Sequence, residues 1–304
     1  MPAFTRVIRP LPDPAPLVSL IVPTRDRAEL LARCVDGLLR RTDYRPIELL
    51  IVDNDSTEPE THALFARLAA DPRVRVITSP GPFNYSALNN RAVNVARGDI
   101  LVLVNNDVDV IERHWLTEMT ALVVQPDVGA VGAKLWYADD RLQHGGIVLG
   151  AGAVEGVGAH LQPNAARDDQ GYFGRLGLSR DVSAVTGACL AVRRSVYLSV
   201  GGLDEANLPV AFNDVDLCLR LRERGFRIVW TPFAELYHLE SATRGPDTTD
   251  EALPRFQREV AFMRRRWSTV LDADPFYSPN FSLAQGNYAL AAPRRTKPWQ
   301  RAES

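Results

Sequence analysis

Carboxylates, amides and hydroxyls stand where apolar runs end abruptly along this chain. Val18-Ser19-Leu20-Ile21-Val22 leads into Pro23-Thr24-Arg25-Asp26, and Leu49-Leu50-Ile51-Val52 into Asp53-Asn54-Asp55-Ser56. Leu101-Val102-Leu103-Val104 leads into Asn105-Asn106-Asp107-Val108-Asp109. Such an apolar, mostly β-branched run reads as a strand buried on both faces, and the polar cluster as the loop at its carboxyl end. Open α/β sheets bind ligands in the crevice outside those ends. Three strands delivering Asp to one rim point to a pocket for a sugar, a nucleotide and a metal. Asp53 can accept from a base or ribose hydroxyl, or the cluster can simply cap the following helix. Hard divalent cations such as Mg²⁺ or Mn²⁺ take oxygen ligands, typically one or two carboxylates plus substrate phosphate oxygens, and Asn105 to Asp109 offers them. A surface turn uses the same residue types. Asn213-Asp214-Val215-Asp216 opens a helical pattern, where Asp is an ordinary N-cap or a general base held near an acceptor hydroxyl. His238, at the end of Leu236-Tyr237-His238, is a core histidine or a metal ligand through a ring nitrogen.

The elements that must position these groups alternate through the first half. Strands are expected at 17–22, 47–52, 73–78, 99–104 and 128–133, with helices at 27–40, 58–70, 84–96 and 112–124 between them. That alternation argues for a mainly parallel sheet with helices on both faces. The pattern breaks over 151–181, rich in Gly, Ala, Asn, Asp and Gln; a loop of that length is a binding loop or lid, or an insertion without a role. Regular structure resumes with a strand at 184–192, helices at 194–200 and 214–224, a strand at 227–231 and a basic amphipathic helix over about 251–267.

The gross numbers narrow the classes. With 304 residues, 46% hydrophobic and 24% charged, the chain can build a substantial core. A net charge of -2 gives no electrostatic case for nucleic acid. No apolar run is long enough to span a membrane, and the Pro-rich segment Met1–Pro16 has no signal-peptide h-region. The three cysteines, Cys34, Cys189 and Cys218, lack metal-type spacing and read as buried free thiols, in keeping with a reducing cytoplasm. No G-x-G-x-x-G follows the first strand, so a dinucleotide-binding dehydrogenase loses its main support.

The order of motifs resembles family 2 glycosyltransferases, the sugar-transfer enzymes of the GT-A fold, and within them the bacterial branch that builds O-antigen and related rhamnose- or galactose-containing glycans. The resemblance runs from about Val18 to His238, roughly three quarters of the chain, and is carried by the segments Ser19–Thr24, Ile51–Ser56, Phe83-Asn84-Tyr85-Ser86-Ala87-Leu88-Asn89-Asn90, Asn105–Val108, His144-Gly145-Gly146, Thr186-Gly187-Ala188-Cys189 and Asn213–Arg220. The resemblance implies a GT-A, Rossmann-like α/β sheet sandwiched by helices over 17–245, with a nucleotide-binding half at 17–135 and an acceptor half at 136–245. A lead over 1–16, a helical extension over 246–292 and a disordered tail over 293–304 complete the organisation.

It also implies roles. Pro23, Thr24, Arg25, Asp53, Asn84, Asn90, Asn105 and Asn106 fall on the donor-nucleotide side. Asp107, with Asp109 and His238, falls on the metal, Mg²⁺ or Mn²⁺; Asn105 stands where the family's D-x-D usually has its first Asp. Asp214 takes the place of the catalytic base, with Asn213 where a Glu is common. Trp136, Asn213 and Asp216 are assigned to the acceptor side, and Tyr137, Tyr172 and Phe173 either join them or simply pack. The implied activity is an inverting transfer from dTDP-rhamnose or a UDP-hexose to a glycan or lipid-linked acceptor. It would take place in the cytoplasm, and the basic helix could touch an anionic membrane surface. A nucleotidyltransferase would also use Asp residues and a metal, but the Gly-rich basic segment that cradles its triphosphate is missing after the first strand. A non-catalytic nucleotide- or glycan-binding module is the other reading, prompted by Asn105 and Asn213 standing where acids are usual.

Overall fold

In a computed structural model, residues 4–152, 156–239, 252–284 and 286–292 are described. The chain runs β1 (Val18–Thr24), α1 (Ala28–Arg40), β2 (Ile47–Asp53), α2 (Pro59–Leu68), β3 (Val74–Thr78), α3 (Tyr85–Val95) and β4 (Ile100–Val104). It continues with β5 (Val108–Val110), α4 (Trp115–Val123), β6 (Val128–Trp136), β7 (Leu142–His144), β8 (Ile147–Leu149) and β9 (Gly158–His160). A 3₁₀ segment (Tyr172–Gly177), β10 (Arg180–Asp181), β11 (Cys189–Arg193), α5 (Arg194–Ser199), α6 (Asn213–Glu223), β12 (Arg227–His238) and α7 (Leu253–Asp272) follow.

Every residue of β1, β2 and β4 is buried, as mainly apolar strands covered on both faces are, and the polar Ser19 and Glu48 inside β1 and β2 are buried against each other. Alternate residues face opposite layers. Leu101 and Leu103 join the core formed with α3, α5, α6 and α7, whereas Ile100, Val102 and Val104 join the one formed with α1, α2 and α4. Each Leu, Ile or Val so buried contributes about 1.5–3 kcal/mol. Helix α7 is a working part of the first layer: Val260, Met263, Trp267 and Leu271 all sit in that core.

The main sheet has the strand order β10-β12-β6-β11-β4-β1-β2-β3, with β5 on β12 and β7 on β6. Strands β4, β1, β2 and β3 are parallel to one another, and β12 is parallel to β6. Between these groups β11 runs antiparallel to both β4 and β6. The sheet is therefore mixed, with parallel pairing confined to the first half and the β6–β12 pair. Because β11 reverses direction, the carboxyl ends of β4, β6 and β12 all arrive at the same rim.

Two differences from the expected elements matter for the site. Pro232 suggests a strand ending at Thr231, yet β12 continues to His238 with a register shift between Trp230 and Glu235. Proline cannot donate to the ladder, so the bulge takes it up and pairing resumes at Glu235 beside Lys134. Within the expected loop, the described residues 156–181 contain β9, the 3₁₀ segment and β10. The expected boundary at 245, the start of the last helix at Glu251 and the tail from 293 lie outside the described residues. All three cysteines are free and buried.

Candidate active site

At the nucleotide-side rim, β1 and β2 end in register, Thr24 beside Asp53. Asn106 Nδ2 donates to Thr24 Oγ1 at 2.9 Å, which brings the β4 loop against the β1 end. Asp53 Oδ1 accepts from the Ser56 amide at 3.0 Å, turning the chain sharply after β2. The two neighbouring loops are locked together: Asp26 Oδ1 accepts from the amides of Thr57 (2.7 Å) and Glu58 (2.9 Å), and Glu58 Oε2 accepts from the Arg27 amide. The Glu58 amide holds the Asp26 carboxyl below the usual carboxylate range, with Thr57 and Arg25 assisting against burial. Asp26 and Arg27 both adopt left-handed backbone, a conformation that costs non-glycine residues about 1–2 kcal/mol each. The reciprocal bonds hold that strain in place, and Arg25 is left exposed at the edge of the rim. Pro23, Thr24, Arg25, Asp53 and Asn106 thus form one patch.

The next strand end carries a carboxylate and an imidazole face to face. Strand β5 pairs with the end of β12, Val108 opposite His238, and the Leu239 amide donates to the Asp107 carbonyl. His238 Nε2 lies 3.2 Å from Asp107 Oδ1 and 3.1 Å from Asn105 Nδ2. The other ring nitrogen, Nδ1, is 2.7 Å from Gln143 Oε1 on β7. Asp107 is 4% exposed, and its Oδ1 is buried without a hydrogen-bond donor. An orphaned carboxylate oxygen facing an imidazole lone pair is an arrangement that a divalent cation satisfies. Among the described residues no group of three or more His, Cys, Asp or Glu side chains converges. Asp107 and His238 could supply two ligands, with phosphate oxygens and water completing the shell as Mg²⁺ sites commonly do.

Asp214 reaches the same rim from α6. Its Oδ2 accepts from the Gly187 amide at 2.7 Å and its Oδ1 from the Val215 amide at 2.8 Å. One residue further on, the Ala188 carbonyl accepts from the Asn105 amide at 3.0 Å. The segment 187–188 therefore joins the base candidate directly to the Asp107 loop. A side chain at Gly187 would place its Cβ 3.2 Å from the Tyr85 hydroxyl, a tight contact, and 3.5 Å from Asp214 Cβ, so the backbone here runs close against both residues. Burial raises the Asp214 carboxyl above the usual range, and the amides of Gly187 and Val215 moderate the shift.

Several expected site residues are committed elsewhere. Asp109 is gripped on its two oxygens by Arg33 (2.6 Å) and Arg41, so its charge is spent on α1 and it leaves the metal set. Asn84 caps α3, accepting from the Ala87 amide, and its Nδ2 donates to the Glu205 carbonyl. Asn90 binds the 203–205 loop, accepting from the Leu203 amide and the Tyr197 hydroxyl. Both amides are thus tied to the 203–205 loop or to the start of α3. Trp136 is 1% exposed and donates to Glu235 Oε2, which makes it a packed residue rather than an acceptor platform. Asn213 is buried and donates to the Val210 carbonyl. Asp216 is fully buried, bonded to Arg220 at 2.7 Å and to the Trp267 indole at 2.9 Å, and so ties α6 to α7. Tyr172 stacks on Tyr288 and Phe173 is exposed.

Other residues emerge only in three dimensions. Gln143 and His144 sit side by side on β7, and His144 Nε2 accepts from the Thr186 amide at 3.4 Å. Glu259 of α7 accepts from the amides of Val210 (2.8 Å) and Ala211 (3.0 Å), anchoring the turn that leads into Asp214. His144-Gly145-Gly146 and Thr186-Gly187 stand out in the sequence as motifs, but nothing in their spacing says which strand end they serve.

A mixed sheet between helical layers, with strand ends converging on one rim, is the GT-A type of fold. Two solved structures share it: a mannosyltransferase from Pyrobaculum calidifontis in complex with GDP-Man and Mn²⁺, and GalNAc-T7 with UDP, GalNAc and Mn²⁺. The first aligns over 83% of this chain and 75% of its own, with a TM-score of 0.56 and 16% identity. The second aligns over 84% of this chain and 51% of its own, with a TM-score of 0.62 and 14% identity. Residues 14–281 match the family described as glycosyltransferase-like family 2, and the chain belongs to that family. It is 39% identical over 275 residues to the O-antigen biosynthesis protein RfbC of Myxococcus xanthus, covering 90% of this chain and 21% of that protein. An uncharacterized protein, y4gI of Sinorhizobium fredii, is 50% identical over 295 residues, and this chain spans 32% of its length. The N-acetylglucosaminyl-diphospho-decaprenol L-rhamnosyltransferase of Mycobacterium tuberculosis is 26% identical over 239 residues, 74% of this chain and 76% of that enzyme. This chain therefore spans about a third and a fifth of the first two relatives. Among the described residues no helix is long and apolar enough to cross a membrane.

Proposed function

We propose that the chain catalyses an inverting, divalent-cation-dependent transfer of a sugar from a nucleotide-diphosphate donor to a hydroxyl of a glycan or lipid-linked acceptor. The reading extends to dTDP-rhamnose or a UDP-hexose as donor and to bacterial surface polysaccharide as product, which the similarity to RfbC and to the rhamnosyltransferase supports. The observation that carries it is the joining of Asp214 to the Asp107–His238 pair through the single segment 187–188.

In this mechanism Thr24, Asp53 and Asn106 hold the nucleoside at the ends of β1, β2 and β4. Asp107 and His238 would hold Mg²⁺ or Mn²⁺, a group to which the family and the Mn²⁺ complexes of the structural relatives lend support. When bound, the cation neutralises negative charge on the leaving diphosphate. Asp214 takes the proton from the acceptor hydroxyl as that oxygen attacks the anomeric carbon from the face opposite the nucleotide. Its raised pKa suits the task, because a base of higher proton affinity draws the proton more strongly at neutral pH. The amides of Gly187 and Val215 keep both oxygens oriented meanwhile. No covalent intermediate on the enzyme is needed. The exposed arginines of α7, among them Arg258 and Arg265, offer a contact for anionic headgroups around a lipid-linked acceptor.

The test is release of nucleoside diphosphate from dTDP-rhamnose and from UDP-hexoses in the presence of lipid-linked or soluble saccharide acceptors. A sugar-bearing product with inverted anomeric configuration is expected. Release of pyrophosphate would replace this reading with nucleotidyl transfer, and binding without turnover of any donor would replace it with a non-catalytic module.

A further inference from the structure

We infer that Gln143 is a positioning residue that fixes the tautomer of His238, so that the ring nitrogen facing Asp107 carries a lone pair. The inference deepens the metal site proposed above and rests on that reading for its purpose, though not for its geometry.

The Gln143 side chain is 2% exposed and meets His238 twice. Its Nε2 donates to the His238 main-chain carbonyl at 3.3 Å, and its Oε1 lies 2.7 Å from His238 Nδ1. A carbonyl oxygen can only accept, so the amide's NH₂ must be the end that faces it. The orientation of the amide is thereby set, and its oxygen, also an acceptor, must face Nδ1. An acceptor at 2.7 Å from Nδ1 requires the proton there. In a neutral imidazole Nε2 is then unprotonated, and Asn105 Nδ2 at 3.1 Å is placed to donate to it.

The consequence concerns Asp107. With the opposite tautomer, the nitrogen 3.2 Å from Asp107 Oδ1 would carry a proton where a cation shared with that oxygen needs a lone pair. Gln143 prevents this, and Asp107 Oδ1 beside that nitrogen is buried without a donor. A metal-binding histidine whose second nitrogen is held by an oxygen acceptor is oriented and made more basic, and loss of such a partner costs about 10–100-fold in metal affinity. Strand β7, only three residues long, brings Gln143 there by pairing with the end of β6, Leu135 opposite His144.

The experiment uses protein labelled with ¹⁵N-histidine, in which five histidines give a resolvable spectrum. His238 is assigned by the signal lost in His238→Asn, and long-range ¹H–¹⁵N correlation reads the tautomer of each ring. The wild type should show His238 protonated on Nδ1. Gln143→Leu should move the proton to Nε2, and Gln143→Glu, which keeps the acceptor, should restore it to Nδ1. In parallel, Mn²⁺ alone is titrated and free ion followed by electron paramagnetic resonance. Gln143→Leu should weaken Mn²⁺ by about 10–100-fold and Gln143→Glu should retain wild-type affinity. An Nε2-protonated His238 in the wild type overturns the inference without reference to any variant. So does a Gln143→Leu protein that keeps the wild-type tautomer and Mn²⁺ affinity. Failure of the wild type to bind Mn²⁺, with the Nδ1 tautomer present, would instead remove the metal from the proposed function and leave the Gln143 clamp standing.

Discussion

Asp214→Asn keeps the shape of the side chain and removes its capacity to take a proton. Two opposing effects on stability follow from the contacts. One of the two oxygen positions becomes an NH₂ group facing a backbone N–H, either Gly187 at 2.7 Å or Val215 at 2.8 Å. A partly buried bond lost in this way costs up to about 1–3 kcal/mol. Against that, the variant no longer desolvates a carboxylate, whose raised pKa shows that burial disfavours its charged form. The sign is explicit: a carboxyl whose folded pKa lies above its unfolded value binds protons more readily when folded. The wild type therefore gains stability relative to the variant as pH falls through that raised pKa, and loses the gain as pH rises. At neutral pH the two effects offset and the melting temperature should change little. Catalysis should behave differently, because removing a general base typically costs about 10²–10⁴ in rate, or about 2.7–5.4 kcal/mol of barrier at about 1.36 kcal/mol per tenfold. Turnover is followed by nucleoside diphosphate release, donor binding by calorimetry and stability by thermal melting. The expected pattern is lost turnover with donor affinity and melting temperature retained, and a wild-type acid limb displaced above the ordinary carboxylate range. Turnover within tenfold of wild type would refute the role, as would a fall in activity matched by a fall in melting temperature.

Asp107→Ala should abolish activity and remove its reversal by Mn²⁺ or Mg²⁺ after EDTA; full wild-type activity in metal-free buffer would contradict the ligand role. Asp109→Asn should preserve the metal dependence while lowering stability by about 1–3 kcal/mol, because a buried acceptor shared by Arg33 and Arg41 is weakened; changed Mn²⁺ affinity would return Asp109 to the site. Asp216→Ala should destabilise by about 3–5 kcal/mol, since Arg220 and the Trp267 indole lose a buried partner, and thermal melting checks it. Liposome flotation should show binding to anionic but not neutral vesicles, reduced in Arg258→Gln/Arg265→Gln; equal binding to both vesicle types would rule out the headgroup contact.

Much of the framework was legible along the chain. Largely apolar runs mark β1, β2 and β4 because a strand covered on both faces shows no polar alternation to reveal its pleat. The loops that follow are legible for the complementary reason, since water-seeking groups must gather where burial stops. Pro23, Thr24, Asp53, Asn106 and Asp107 therefore stand out as a rim before any coordinates, and Asp214 and His238 join them once the motif order is recognised. Local patterns also mislead in a physically understandable way. Pro232 hides the second half of β12, because a bulge lets a strand continue past a residue that cannot donate.

Charge type and neighbourhood in sequence do not say where a side chain is already spent. Asp107 and Asp109 are two residues apart and chemically identical, yet one keeps an orphaned oxygen at the rim while the other lies between Arg33 and Arg41. Asp214 and Asp216 divide likewise, the first held by backbone amides beside the rim, the second buried against Arg220 and Trp267. Arg220 is only four residues from Asp216, but Trp267, Arg33 and Arg41 reach these carboxylates from 51 to 76 residues away. Strand-end chemistry is local, because it follows from where an apolar run stops. Which carboxylate remains available is a long-range property, because only packing chooses the cation or amide that reaches it first.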